Sequence, residues 1–224
     1  MTGDPPRPRG RQAQAARNDE LILLAAQEVF LADPEAPVSA VAARAGVGIG
    51  ALYHRYASKE DLLRTLCRNG QDTYLAEVRR ALGSGGDPWQ AYTGFLRAIV
   101  AANTHGLTVR LAGTFEPATE QITLAEEMRT LGTELFERAQ AAGQIRPGIT
   151  WLEVEYLLEL LARGQLGDAE RTAQLRQRQL TVIIDGLRNL DPAPLPAEPP
   201  TWAEQTQRWV PAHRSRHARP GPRS

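Results

Sequence analysis

The stretch SAVAARAGVGIGALYHRYASKEDLL, residues 39–63, decides the fold of the N-terminal part of this chain. It reads as a short helix over Ser39–Ala45, a turn at Gly46 and a second short helix from about Gly48 to Arg55. Val41, Ala42, Ala45, Val47 and Leu52 are small or slim apolar residues, which lets two short helices cross closely. Gly46 supplies the positive φ that stops the first helix. Two helices joined this way form a helix-turn-helix, with the second placed to enter a DNA major groove. The geometry alone is a moderate signal, because tight helical corners also occur in proteins that never touch DNA.

Outward from this stretch the chain reads as helix after helix. Ile22, Ala25, Ala26, Val29 and Phe30 follow the i, i+3, i+4, i+7, i+8 rule for one buried face, and Tyr92, Phe95, Leu96, Ile99 and Val100 repeat it. Leu124, Met128, Leu131 and Leu135 form a seam along one long helix. Ser58 with Asp61 and Thr150 with Glu153 carry capping spacing. Asp87 precedes Pro88 at a helix start, and Gly143 closes a helix ending at Ala142. No alternating β-branched run occurs. The expectation is an all-α protein of about nine helices.

Proline placement draws the boundaries: of 16 prolines, three lie at positions 5–8 and eight from 192 onward. This predicts a flexible basic arm over 1–13 and a helix-turn-helix domain over 14–74, with the motif itself at about 37–56. A helical ligand-binding and dimerisation domain follows over 75–190, then a disordered Pro/Arg-rich tail over 191–224. Lys+Arg and Asp+Glu both total 26 among 224 residues, yet the zero net charge is unevenly spread. Residues 1–17 hold four arginines against Asp4, 208–224 hold five arginines and no acid, and 71–190 hold 12 basic against 15 acidic residues. Basic ends on an acidic body suggest that an anion is met at one place only, although solvated tails would give the same balance. No apolar run is long enough to cross a membrane, and the N-terminus has no signal-peptide pattern. The single cysteine, Cys67, excludes an internal disulfide and is expected as a buried core thiol. A reducing cytoplasm is the default.

Ile22–Phe30, then Val41 to Val47, Leu52 to Tyr56 and Ser58 to Leu63 together resemble the TetR family of bacterial transcriptional regulators, strongly over about 14–74. The resemblance implies a homodimer that binds a palindromic double-stranded DNA operator and releases it when a small molecule enters the C-terminal domain. Lys59, the chain's only lysine, matches the family's phosphate-binding position. It also stands at the positive end of a helix, where an anion is favoured. Tyr53 is expected on the outer side of the recognition helix, with His54 and Arg55 along the DNA backbone and Tyr56 in the core. Ser39, read as the cap of the first helix, resembles another phosphate contact, though a plain structural cap is equally consistent. Arg44 projects from the first helix as a weaker candidate. Gly48, Ile49, Gly50 and Ala51 depart from the family's usual polar residues and offer no side-chain donor or acceptor. What remains there is thymine-methyl contact by Ile49 or Ala51 and close backbone approach at the two glycines. Much of the specificity is therefore expected from DNA shape, Arg44 and the arginine arm before Arg17.

For the body, the last two helices are expected at about 150–166 and 169–189. They carry more apolar residues than one face needs. Trp151, Leu158, Leu161, Leu180, Ile183, Ile184 and Leu187 are the expected dimer interface, the resemblance implying a four-helix bundle across a twofold axis. Residues 103–110 read as a polar interruption between two helices. His105 and Arg110 are candidates for holding a ligand there, with Tyr92, Phe95, Phe115, Met128, Leu131 and Tyr156 as apolar walls. Inter-helix hydrogen bonds and ordinary core packing are the competing readings. No hydrolase, nucleotide-binding or metalloprotease motif occurs, and neither cofactor nor metal is expected. His213 and His217 are spaced for a metal only if helical. The alternatives are a DNA binder with no ligand, an architectural or constitutive regulator, and a helical small-molecule carrier or enzyme with a relic DNA-binding domain.

Overall fold

The computed structural model describes residues 9–111, 115, 117–188 and 191–207, with the side chains of 9–16, 108–110 and 206 left out. Among the described residues there are ten helices and no strand. The chain divides into two compact units, Met1–Leu66 and Cys67–Ser224. That division lies inside a helix and ahead of the boundary expected at 74.

The first unit holds α1 (Arg9–Ala32), α2 (Val38–Ala45), α3 (Ile49–Arg55) and the start of α4 (Lys59–Leu82). The apolar stripe of α1 is buried at Ile22, Ala25, Ala26 and Phe30, with Val29 at its edge. Residues 9–13, expected in the flexible arm, are instead the first helical residues of α1. Pro37 precedes α2 in extended conformation, so the helix begins at Val38 without a side-chain cap. Ser39 therefore lies within the first turn, exposed, and does not cap the helix as expected.

At the other end of α2, Gly46 sits at φ +68°, a left-handed conformation. Its N–H donates to the Ala43 carbonyl and the Val47 N–H to that of Ala42, at 3.3 and 3.0 Å. This paired closure satisfies carbonyls that the helix end would otherwise orphan. It turns the chain into α3, where Leu52 is fully buried. Burying one such leucine contributes about 1.5–3 kcal/mol, enough to hold a seven-residue helix that is marginal by itself.

The second unit contains the rest of α4, then α5 (Pro88–Ala101), α6 (Thr104–Leu111), α7 (Thr119–Ala141), α8 (Trp151–Arg163), α9 (Ala169–Leu187) and α10 (Trp202–Gln207). Asp87 accepts from the Gln90 N–H with Pro88 in the first helical turn. Thr150 and Glu153 complete their reciprocal box at 3.4 Å in both directions. Gly143, at φ +69°, follows α7.

Trp151 is the centre of the core, with ring centroids of Tyr92, Phe95 and Phe136 at 6.1, 6.1 and 6.4 Å. Gly132 makes this packing possible: a Cβ there would stand 2.5 Å from Trp151 Nε1 and 2.6 Å from the Tyr74 hydroxyl. Two expectations change. The polar stretch 103–110 is no interruption, since Thr104–Leu111 is itself a helix, entered through Asn103 at φ 51°. The tail is ordered in part, because 191–207 includes α10, and Arg146 donates to the Ala193 carbonyl at 3.0 Å.

Candidate DNA-binding surface and ligand cavity

Around α3 the side chains divide cleanly. Leu52 and Tyr56 are buried, while Gly48, Ile49, Gly50, Ala51, Tyr53, His54 and Arg55 are exposed. Ile49 and Tyr53 are 43% and 50% accessible, large apolar surface that a lone domain gains nothing by presenting to water. Added Cβ atoms at Gly48 or Gly50 would meet nothing within 4 Å, so internal packing does not demand glycine at either place. Gly48 is the N-cap residue in ordinary extended geometry and makes no side-chain bond, as its lack of a side chain requires.

The basic groups beside this surface are already engaged within the unit. Arg44 pairs with Glu28 of α1 at 2.6 Å, and Arg55 pairs with Asp19 of α1. These pairs tie α2 and α3 to α1. Lys59 begins α4, with its Nζ 5.3 Å from the centroid of the Phe30 ring. Ser58 Oγ accepts from the Asp61 N–H at 3.1 Å, and Asp61 in turn accepts from the Ala57 N–H at 3.0 Å. The expected capping pair is therefore formed, and it fixes Lys59 at the helix start. Residues 1–8 of the expected basic arm and the His213–His217 pair lie outside the described residues.

The second unit holds an open-sided cavity of about 400 Å³, lined from α4, α6, α7, α8 and α10. Of the expected pocket residues, His105, Phe115 and Met128 are on its wall. Tyr92 and Phe95 are fully buried in the core, and Leu131 packs against that core. Tyr156 is 44% exposed on the outer side of α8. Arg110 lies in α6, with its side chain outside the described residues. Cys67 is buried as expected but also borders the cavity, and burial pushes its thiol up to about 12, where it is unreactive.

What the sequence reading missed is the polar wall. Glu155 and Glu159, one turn apart on α8, are 8% and 6% exposed and both line the cavity. The Tyr74 hydroxyl donates to Glu155 Oε1 at 3.1 Å. Burial nevertheless raises the Glu155 carboxyl to about 7. Burial also lowers the His105 imidazole to about 4, against the pull of Glu159, so that ring is neutral near pH 7. Trp202 and Gln205 of α10 close part of the wall, and the Arg129 guanidinium sits 5.3 Å over the Trp202 ring.

The expected dimer residues take another place. Trp151, Leu158, Leu161, Leu180, Ile184 and Leu187 are buried in the core of their own unit, and Ile183 packs against it. Both helices have two apolar stripes, and the larger one turns inward. The residues left outside are Tyr156 and Leu160 on α8 and Val182 on α9, at 44%, 45% and 69% exposure.

A helix-turn-helix unit followed by a separate helical unit that holds a cavity has the architecture of a class, the helix-turn-helix transcriptional regulators. Residues 22–66 match the bacterial regulatory proteins of the tetR family, and residues 87–189 match the C-terminal domain of SbtR-like transcriptional regulators. The chain belongs to the TetR family and is a DNA-binding transcriptional regulator. It is similar to the HTH-type transcriptional repressor KstR2 of Mycolicibacterium smegmatis, 24% identical over 196 residues, covering 77% of this chain and 91% of that one. Among solved structures it resembles the TetR regulator SCO0520 of Streptomyces coelicolor at TM-score 0.53 and 26% identity, over 75% of this chain and 97% of that one. A TetR regulatory protein from Mycobacterium vanbaalenii is similar at TM-score 0.53 and 28% identity, over 79% and 98%. No helix among the described residues is long and apolar enough to cross a membrane.

Proposed function

We propose that this protein is a cytoplasmic homodimeric repressor that leaves a palindromic operator when a small molecule fills the cavity of the second unit. The observation that carries the reading is the exposed face of α3, held rigid by buried Leu52 and ending beside Lys59. Ile49 and Ala51 meet thymine methyl groups, and Gly48 and Gly50 admit the DNA close to the backbone. Tyr53, His54, Lys59 and Ser39 contact phosphates, joined by Arg44 and Arg55 where DNA competes with Glu28 and Asp19. With no bidentate base reader on α3, specificity rests heavily on DNA shape.

Two copies pair through the exposed stripe of Tyr156, Leu160 and Val182, and a palindromic operator requires their α3 helices about one DNA turn, roughly 34–36 Å, apart. Ligand binding needs only about 1–3 kcal/mol of coupling to move the DNA-bound population. The test is binding to DNA flanking the chain's own coding sequence across a salt series, with Lys59→Ala and Tyr53→Ala alongside. A tight complex should weaken steeply with salt, and less steeply for Lys59→Ala. A bound-fragment selection that returns no preferred sequence would overturn the reading.

A further inference from the structure

Resting on the ligand-release reading, we infer that the cavity of the second unit takes an organic cation, an ammonium group carried on an apolar body. Glu155 and Glu159 are four residues apart on α8, which brings their Cβ atoms to about 5–6 Å and points both toward the same space. The charged residues on the wall are Glu126, Glu155, Glu159 and Arg129. The Arg129 guanidinium lies over the Trp202 ring, and its buried Nε meets no hydrogen-bond partner among the described residues. Gln71 on the same wall donates its amide to the Gln121 carbonyl at 2.9 Å, and its buried Oε1 accepts from no group among the described residues. Three carboxyl groups against one guanidinium give the wall an excess of acidic groups.

Each ligand class meets this wall differently. An anion entering the cavity would lose its water and meet two buried carboxylates. A neutral ligand would displace water from those carboxylates without replacing it. An ammonium group neutralises one carboxylate, donates to the other and reaches the free Gln71 oxygen. Phe115, Ile122, Met128 and Trp202 supply apolar and aromatic surface for the body of such a ligand, and ring faces also favour a cation. A divalent metal is a poorer match, because it needs more oxygen ligands than a pair of carboxylates beside aromatic and thioether groups provides. The volume, about 400 Å³, is in the range of sites for drug-sized molecules.

Three probes with one shared body test the charge alone: para-tert-butylbenzylamine, the matching benzyl alcohol and the matching benzoate. Each is titrated into the full-length protein at mildly alkaline pH, followed by calorimetry and tryptophan fluorescence. The amine should bind at least about tenfold more tightly than the alcohol, and the benzoate should not bind measurably. Glu159→Gln keeps the shape of the side chain and should weaken the amine about tenfold while leaving the alcohol unchanged, with its folding checked by circular dichroism. Alcohol or benzoate binding as tightly as the amine, or no binding of any probe, overturns the assignment, and this wild-type comparison needs no variant to fold. Release of operator DNA is measured separately. Amine-selective binding without release supports the cation site and overturns the ligand-release reading. Release driven only by the alcohol or the benzoate does the reverse.

Discussion

The two units treat charge in opposite ways. In the first, the ion pairs of α1 with α2 and α3 lie at the surface, with Arg44 and Glu28 61% and 56% exposed. Pairs of that kind are worth roughly 0–1 kcal/mol, so their loss to a competing phosphate costs the fold little. In the second, Glu155 and Glu159 are more than nine-tenths buried, and burial raises the Glu155 carboxyl even though the Tyr74 hydroxyl donates to it. Charge at the DNA surface is thus available for binding at almost no cost in stability. Charge on Glu155 instead opposes folding, which is what its raised carboxyl records.

Removing Trp151 should separate the units most sharply. Trp151→Ala removes the ring that touches Tyr92, Phe95 and Phe136, and should cost about 3–5 kcal/mol by urea unfolding. Tyr53→Ala on the exposed face of α3 should change stability by no more than about 0.5 kcal/mol while weakening operator binding. Comparable destabilisation by the two would erase the distinction. Next in size is Gly132→Ala, where the new methyl group meets Trp151 and Tyr74; overpacking there should cost about 1–3 kcal/mol. A melting temperature unchanged from wild type would mean that the core yields more readily than its close contacts imply.

A smaller, pH-dependent difference isolates the buried carboxylate. Because folding raises the Glu155 carboxyl from 4.5 to about 7, its contribution to stability is complete below about pH 4.5 and is lost as pH rises through 7. His105 acts in the opposite sense. Its depressed value, about 4 against 6.5, gives stability that is present above pH 6.5 and lost as pH falls through 4. The two trends overlap and partly cancel in the wild type. Glu155→Gln removes one of them, so the variant should gain stability relative to wild type from about pH 4.5 to 7 and level off above. A pH-independent difference in melting temperature would show that Glu155 does not titrate in this window.

How much of this was legible in the sequence also differs between the units. Gly46, Leu52 and the Ser58–Asp61 cap announce α2, α3 and the start of α4, because backbone closure and caps are local events that a few residues encode. The cavity is made by five helices distant in sequence, and no local rule places Phe115 and Trp202 on the wall of one cavity. Two signals were nonetheless present. Glu155 and Glu159 lie at positions i+4 and i+8 from buried Trp151, so acids shared a face with the core. Thr201 and Glu204 also have the spacing of the Thr150–Glu153 box, and the structure forms that reciprocal pair at 2.7 and 3.3 Å. Proline density around 192–200 outweighs that spacing in a sequence reading, which is why α10 is absent from it. For α8 and α9, apolar content showed that two faces needed burial but not which would turn inward.

The smallest expected effect bears most directly on the first unit. Gly50 lies in the first turn of α3, where a Cβ would meet nothing within 4 Å. Alanine forms helix more readily than glycine by about 0.8–1 kcal/mol, so Gly50→Ala should stabilise the protein by roughly 0.5–1 kcal/mol. A glycine that costs stability and fills no internal need is explained by a partner that comes close to the backbone. The same substitution should therefore weaken operator binding, moving the two measurements in opposite directions. The matched control is Gly48→Ala, at the N-cap, where alanine is a poorer residue than glycine and no gain in stability is expected. If Gly50→Ala both stabilised the protein and bound the operator as well as wild type, the DNA would not approach α3 at residue 50. Recognition would then shift toward Tyr53 and Lys59.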